Sequence, residues 1–192
     1  MGPNGSFYGT TYGGGGGTGS GCQIYTGCGT VFELTPPSAP GGAWTESAIY
    51  SFQGGASGGG PAAPVIFGPD GVMYGTTSGG MGPCTSPGGI PGCGTVFALR
   101  SPAQAGEAWT EIPLYHFTGR NGDGMWPFAG LILGRNGALY TVDVADGLFL
   151  HVGGREEGRG CSAGAGGPAG QAGRRTSRSA FCACCWKSPT RW

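Results

Sequence analysis

The stretch Gly2-Pro-Asn-Gly-Ser-Phe-Tyr-Gly-Thr-Thr11 returns 66 residues later as Gly68-Pro-Asp-Gly-Val-Met-Tyr-Gly-Thr-Thr77. A weaker copy, Gly134-Arg-Asn-Gly-Ala-Leu-Tyr140, begins after a further 66. No other feature restricts the fold as much, because a period of this length means one supersecondary unit laid against its siblings. Three more landmarks keep the same order. Cys28-Gly-Thr-Val-Phe-Glu-Leu34 recurs as Cys93-Gly-Thr-Val-Phe-Ala-Leu99. Trp44-Thr-Glu46 leading to Tyr50-Ser-Phe52 recurs as Trp109-Thr-Glu111 leading to Tyr115-His-Phe117. Pro61 with Val65-Ile-Phe67 recurs as Pro127 with Leu131-Ile-Leu133. Recurrence in fixed order is duplication, not an accident of composition.

Each landmark reads as a strand. Apolar runs flank Asp70-Gly71, and Asx-Gly in that setting is the strongest short-range hairpin signal; it suits a type I′ turn, whose two central residues both need positive φ. Asn4-Gly5 and Asn136-Gly137 repeat it. A glycine-rich loop then leads to a third strand at 29–34 and 94–99, and a turn leads to a fourth at 44–52 and 109–117. Trp44, Tyr50 and Phe52 fall on one face of the fourth strand and Ile49 on the other. A strand buried on one side alternates more cleanly, so a sheet covered on both faces is implied. The fold class is therefore all-β: tandem four-stranded antiparallel blades of a partial β-propeller, followed by an irregular C-terminal tail. A parallel β-solenoid is the alternative, but its coils are shorter and need no Asx-Gly hairpin. The chain is expected to enter at a blade's second strand, complete one blade and stop about three strands into the next. Propellers close with ~4–8 blades. Either the chain is part of a longer protein, or copies assemble to close a ring.

Composition is consistent with this. The 46 glycines and 15 prolines would by themselves suggest disorder, but five Trp, seven Tyr and nine Phe belong to a chain with apolar strands. Residues 1–150 hold three basic and eight acidic residues, which argues against nucleic-acid binding. No apolar run is long enough to span a bilayer, and no leader or anchor segment is visible. Gly2 with Ser6 fits a loose myristoylation pattern, but Gly2-Pro3 recurs as Gly68-Pro69 and belongs to the repeat. The repeat region is assigned to 1–152. Residues 153–192 turn basic and rich in Gly, Ala, Arg and Cys, a tail read as disordered or out of frame. A change of reading frame between Thr141 and Gly153 would account for both the lost repeat and the reversed charge, with Gly147–Val152 still able to serve as a third strand.

The ordered set Asx-Gly-x-x-Tyr-Gly-Thr-Thr, a glycine run, Gly-Thr-Val-Phe-x-Leu and Tyr-Ser-Phe resembles the GloVer tandem repeat of bacterial choice-of-anchor tandem-repeat proteins, over roughly residues 2–140. The resemblance implies a secreted or surface-attached, propeller-like protein without an established enzymatic activity. The chain departs from the pattern at Tyr140-Thr-Val-Asp143, where Tyr-Gly-Thr-Thr is expected.

Residues that could carry chemistry mostly have plainer readings. Cys22 and Cys28 bracket one glycine loop, and Cys84 and Cys93 the next. Neither loop holds a His and the spacing is not that of a zinc site, so one disulfide per loop is the plainer reading, given an oxidising compartment. Cys161, Cys182, Cys184 and Cys185 lack a His neighbour, and adjacent cysteines do not converge easily on one ion. Gly13–Gly17 and Gly19 are followed by neither Lys-Ser/Thr nor a helix, as a phosphate loop requires. Asn121-Gly-Asp-Gly124 lacks the spaced acidic ligands of a calcium loop. His116 replaces Ser51 of the other copy, and His151 has no nucleophile or base set around it. Glu46 and Glu111 are repeat equivalents, not a converging pair of the kind that hydrolyses glycosides. No catalytic residue, cofactor or metal is assigned. The expected function is a non-catalytic scaffold whose partners are an unidentified surface, carbohydrate or protein ligand and further blades. The alternatives are a carbohydrate-active propeller enzyme with its site in blades not present here, and a truncated product without its own function.

Overall fold

The computed structural model describes residues 2, 5–104, 106–121, 123–135, 137–142 and 149–152. Its described residues are all-β, with strands in three antiparallel sheets and no α-helix. Sheet 1 contains β1 (Phe7–Thr11), β2 (Thr30–Thr35) and β3 (Thr45–Ser51) in that order. Sheet 2 is a four-stranded meander of β4 (Ile66–Phe67), β5 (Met73–Thr77), β6 (Thr95–Arg100) and β7 (Thr110–His116). Sheet 3 runs β8 (Ile132–Leu133), β9 (Leu139–Val142) and β10 (Phe149–Val152). The strand anticipated near Gly147–Val152 is thus present as β10, paired with β9. Residues 153–192, with Cys161, Cys182, Cys184 and Cys185, lie outside the described residues, as do Asn4 and Asn136. Among the described residues the sheets close neither a barrel nor a ring.

The hairpin at Asp70-Gly71 is where the sequence puts it, but its turn is of another type. Gly71 N–H donates to the Gly68 carbonyl at 3.1 Å and Gly68 N–H to the Val72 carbonyl at 2.8 Å. Only Gly71 takes positive φ, +76°. This is the three-residue loop built from a type I turn and a glycine bulge, not the two-residue type I′ turn. Pro69 explains the choice, since its fixed φ suits the second position of a type I turn. The same pair of bonds recurs at Gly2/Gly5/Ser6 and Gly134/Gly137/Ala138.

A second correction concerns the fourth strand. Val31 pairs with Tyr50 but Phe32 with Ala48, so Ile49 is the extra residue of a β-bulge. Val96, Phe97, Tyr115 and Pro113 repeat it, with Leu114 extra. A bulge reverses the in–out alternation. Trp44 therefore lies on the face of Phe32, whereas Tyr50 and Phe52 lie on the face of Val31, opposite to it. The mixed apolar pattern that implied two covered faces comes from this reversal.

The sheets nevertheless stack face on face. The trailing face of sheet 1, with Val31, Tyr50 and Phe52, packs on the leading face of sheet 2, with Met73, Phe97 and Leu99. The trailing face of sheet 2, with Val96, Tyr115 and Phe117, packs on Leu131 and Leu139 of sheet 3. Edge-on ring pairs join the first interface: Tyr8–Phe67 and Phe52–Phe97, each with centroids 5.1 Å apart.

The recurring motif is what makes this stacking possible. In Tyr-Gly-Thr-Thr the glycine seats a ring: a Cβ at Gly75 would stand 2.5 Å from the Phe97 ring, and one at Gly9 equally close to Phe32. The first threonine ties each sheet to the connector leading to the next. Thr10 Oγ1 donates to the Ala63 carbonyl at 3.0 Å and Thr76 Oγ1 to the Ala129 carbonyl at 3.2 Å. The second threonine meets the threonine of Gly-Thr-Val-Phe, Thr11 with Thr30 at 2.9 Å and Thr77 with Thr95 at 2.7 Å. In the third copy Thr141 replaces the glycine, opposite Leu150 instead of a phenylalanine, and also donates to the Ala129 carbonyl.

Gly75→Ala should lower stability by about 1–3 kcal/mol, the usual cost of overpacking a filled core. Gly9→Ala should cost less, because Phe32 is only half-buried and its ring can swing aside. Denaturant titration of the two variants measures the difference.

Candidate functional site

Two loops between second and third strands carry the predicted cysteines, and both are disulfide-bonded: Cys22–Cys28, with Cα atoms 4.5 Å apart, and Cys84–Cys93, at 4.8 Å. The first bridge closes over a short 3-10 turn, Cys22–Tyr25, and both its cysteines are fully buried. Gly14 N–H donates to the Tyr25 carbonyl at 2.9 Å and Gly29 N–H to the Gly14 carbonyl at 3.1 Å. The glycine run is thus engaged as a backbone ladder against the disulfide loop. Ile90, from the second disulfide loop, is buried in the cluster that holds Cys22 and Cys28. Consecutive loops therefore pack on each other as the sheets do.

Beside the second disulfide loop lies a cleft of about 410 Å³, lined by Met81, Gly82, Pro83, His116, Phe117, Thr118 and Arg120. Counted back from Cys28 and Cys93, the first copy has Gly16, Gly17, Thr18, Ser51, Phe52, Gln53 and Gly55 at these places. In sheet 1 the Gly17 position lies hard against the Phe52 carbonyl, with no space for a side chain. In sheet 2 Gly82 takes that position, where a Cβ would stand 3.3 Å from the Phe117 carbonyl, and Pro83 follows it, exposed. Met81, Pro83, Thr118 and Arg120 are exposed. His116 is half-buried, and its Nδ1 is buried without a hydrogen-bond partner.

In the sequence His116 stands only as a replacement of Ser51 in a strand, and Met81, Pro83 and Arg120 belong to no motif. The signal that finds them is in the repeat itself: they are the places where two otherwise matching copies disagree.

The loop after Phe117 is ordered by Asp123. Its Oδ1 accepts from the Tyr115 hydroxyl at 2.7 Å, and its Oδ2 accepts from the Thr118 backbone N–H at 2.7 Å and the Thr118 hydroxyl at 2.6 Å. A carboxylate supplied with three protein donors is a cap, not a calcium ligand. Burial, with Asp123 adding to it, pushes the Tyr115 phenol far above its ordinary range. Trp126 repeats Gly60: each donates its N–H to a disulfide cysteine's carbonyl, Trp126 to Cys93 at 2.7 Å and Gly60 to Cys28 at 2.8 Å. Trp126 accordingly takes the left-handed conformation, φ +53°, that its glycine counterpart adopts freely at +64°.

Glu46 and Glu111 do not converge. Glu46 is exposed on the outer face of sheet 1, whereas Glu111 is half-buried between sheets 1 and 2. Tyr50 donates to Glu111 Oε2 at 3.4 Å and lies 2.9 Å from Ser57 Oγ, while Glu111 Oε1 is buried without a partner. Burial pushes the Glu111 carboxyl up to about 7, against the lowering effect of the Tyr50 hydrogen bond. A protonated Glu111 can donate to the Tyr50 oxygen while Tyr50 donates to Ser57.

Among the described residues no three His, Cys, Asp or Glu side chains gather as a metal site, and no helix is long and apolar enough to cross a membrane. Comparisons of the chain with protein-family models, with curated proteins and with solved structures give no match.

Two outcomes follow from the loops and the interface. Peptide mapping without reduction should recover Cys22–Cys28 and Cys84–Cys93 as crosslinks, and reducing either bridge should cost about 2–3 kcal/mol, a value chain entropy gives for short loops. The Glu111 carboxyl ionises at higher pH in the folded chain than in the unfolded one, so it stabilises the fold only while protonated. Its contribution is full below about pH 4.5 and is lost as pH rises through about 7. Melting temperature should therefore fall between those values, and Glu111→Gln should flatten that part of the profile.

Proposed function

We propose that this chain is a non-catalytic repeat scaffold, a segment of a secreted or cell-surface, β-propeller-like binding protein whose contact surface includes the cleft beside the Cys84–Cys93 loop. One observation carries the reading. Residues that recur between copies are consumed in holding sheets together, whereas several that differ line a single cleft. Successive antiparallel meanders stacked face on face support the propeller arrangement. The resemblance to the GloVer repeat and the two disulfides, which suit an oxidising compartment, support the extracellular setting.

Binding fits the cleft better than catalysis. Among the described residues no carboxylate or nucleophile is hydrogen-bonded to the buried Nδ1 of His116, as general acid–base or covalent chemistry would need. Met81 and Pro83 supply an exposed apolar wall, Arg120 a cation and Thr118 a hydroxyl. That combination suits a carbohydrate bearing a carboxylate, with the sugar's apolar face on the wall and its charge at Arg120.

The test is an array of neutral and anionic glycans, probed with the wild-type chain and with a variant returned to the first copy's residues: Met81→Gly, His116→Ser and Arg120→Gly. Wild type should prefer carboxylated glycans and the triple variant should lose at least tenfold in affinity while keeping its circular dichroism. Equal binding by both would remove the cleft from the function, and turnover of any glycan would replace scaffold with enzyme.

A further inference from the structure

The two walls of the cleft come from separate stretches of chain, and the Cys84–Cys93 bridge lies between them. Met81 and Pro83 stand on one wall, just before Cys84, and Thr118 and Arg120 on the other, just beyond β7. A Cβ at Gly82 would be 2.7 Å from Cys93 Sγ. One at Gly119 would be 2.6 Å from Cys84 Sγ and 3.3 Å from Cys93 Sγ. Each wall thus lays a glycine directly on the sulfurs. The backbone makes the same junction. Cys93 donates its N–H to the Met81 carbonyl at 2.8 Å, and its own carbonyl accepts from Trp126 N–H at 2.7 Å, where the loop begun at Thr118 ends. Among the described residues no hydrogen bond runs directly from 81–83 to 116–120.

The first copy is built differently. Gly54, the equivalent of Gly119, also faces its bridge, but there the two stretches touch without help from the sulfurs. A Cβ at Gly17 would be 2.2 Å from the Phe52 carbonyl, and one at Gly19 would be 2.1 Å from the Gln53 carbonyl. Cys22 and Cys28 are both fully buried, with Ile90 of the second loop in the same cluster. Of the second pair only Cys93 is fully buried, and Cys84 is half-buried.

We propose that the Cys84–Cys93 bridge is a redox latch on the cleft: closed, it holds the two walls at the separation that admits a ligand, and opened by a dithiol, it lets them part and abolishes the site. The regulation rests on the cleft being the binding surface. The physical cause is room. Two thiol sulfurs need more space than a bonded pair, and Gly82 and Gly119 lie too close on either side to provide it, so the walls give way. Reduction also returns to a loop rich in glycine and proline the freedom that the crosslink removes.

The exchange begins at the accessible residue. A thiolate of the dithiol attacks Cys84 Sγ, forming a mixed disulfide, and Cys93 leaves as a thiolate that takes up a proton. The dithiol's second thiolate then attacks its own sulfur in the mixed disulfide and releases Cys84, which is protonated in turn. The protein gains two electrons and two protons, and the dithiol becomes a cyclic disulfide.

The test treats the folded full chain with graded dithiothreitol, quenches with an alkylating agent and maps the labelled peptides. Cys84 and Cys93 should be labelled at least tenfold faster than Cys22 and Cys28. In parallel, the His116 imidazole resonance, assigned with His116→Ser, reports on the cleft without any ligand. It should shift as Cys84–Cys93 opens and return on reoxidation, while Cys22→Ser with Cys28→Ser leaves it in place. Affinity for a carboxylated glycan should fall at least tenfold over the same titration, with the β-type circular dichroism retained. Equal labelling of the two pairs, earlier labelling of Cys22 and Cys28, or an opened second bridge with an unmoved His116 resonance would overturn the latch. Failure of the oxidised chain to bind any glycan would instead overturn the ligand assigned to the cleft, leaving the labelling order and the His116 resonance to decide the latch.

Discussion

Burial of a sheet face by the next sheet is the interaction on which everything else in this protein depends. A meander of three or four short strands has two faces and no interior, so whatever apolar side chains it carries can leave water only against a neighbour. Met73, Phe97 and Leu99 are buried because sheet 1 covers them, and Phe7, Phe32 and Leu34, in the same register, are less so because no other sheet among the described residues covers that side of sheet 1. The hydrophobic effect acts here across the stack more than within a unit. That is the energetic pattern of repeat proteins, in which neighbours supply the stability each repeat lacks.

The motif residues are the means of close approach. Glycine under the phenylalanine ring keeps that ring flat on its own sheet, where it can meet Phe52 edge-on. Paired threonine hydroxyls satisfy each other where the strands leave the sheet, and another threonine holds the connector that delivers the chain to the next unit. Disulfides do the same work for loops whose glycine content would otherwise leave them free, and Ile90 packs one such loop on the preceding one. Polar groups of the motif are thus occupied by structural hydrogen bonds. Conspicuous recurrence is a sign of support here, and the cleft beside the second disulfide loop lies where recurrence stops.

Much of this was legible in the residues. Hairpin positions, strand order and the disulfide loops all follow from local chemistry: apolar runs, Asx-Gly punctuation and cysteines bracketing glycine. The turn type was misjudged because the Asx-Gly pair was weighed without Pro69, which fixes a type I turn. Faces were misassigned at Trp44 and Ile49 because a bulge adds one residue to one strand, and parity counted along a single strand cannot register it. That His116, Met81 and Arg120 are neighbours is not legible in the sequence, since Met81 lies in the second disulfide loop and the other two at and just beyond the end of β7, about 35 residues later.

By itself the sequence determined the unit: its period, its strands, its antiparallel pairing and the residues that must be small or hydroxylated. Those properties are set by neighbours along the chain and across one hairpin, which a repeating text spells out twice. Tertiary structure alone decided which face of each unit meets another, which copy of a glutamate is buried and which stays in water, and where a cleft opens. Glu46 and Glu111 make the reason plain. Their local sequences match, yet only Glu111 is held in a low-dielectric setting, because desolvation depends on what lies across the interface and not on what lies beside the residue in the chain.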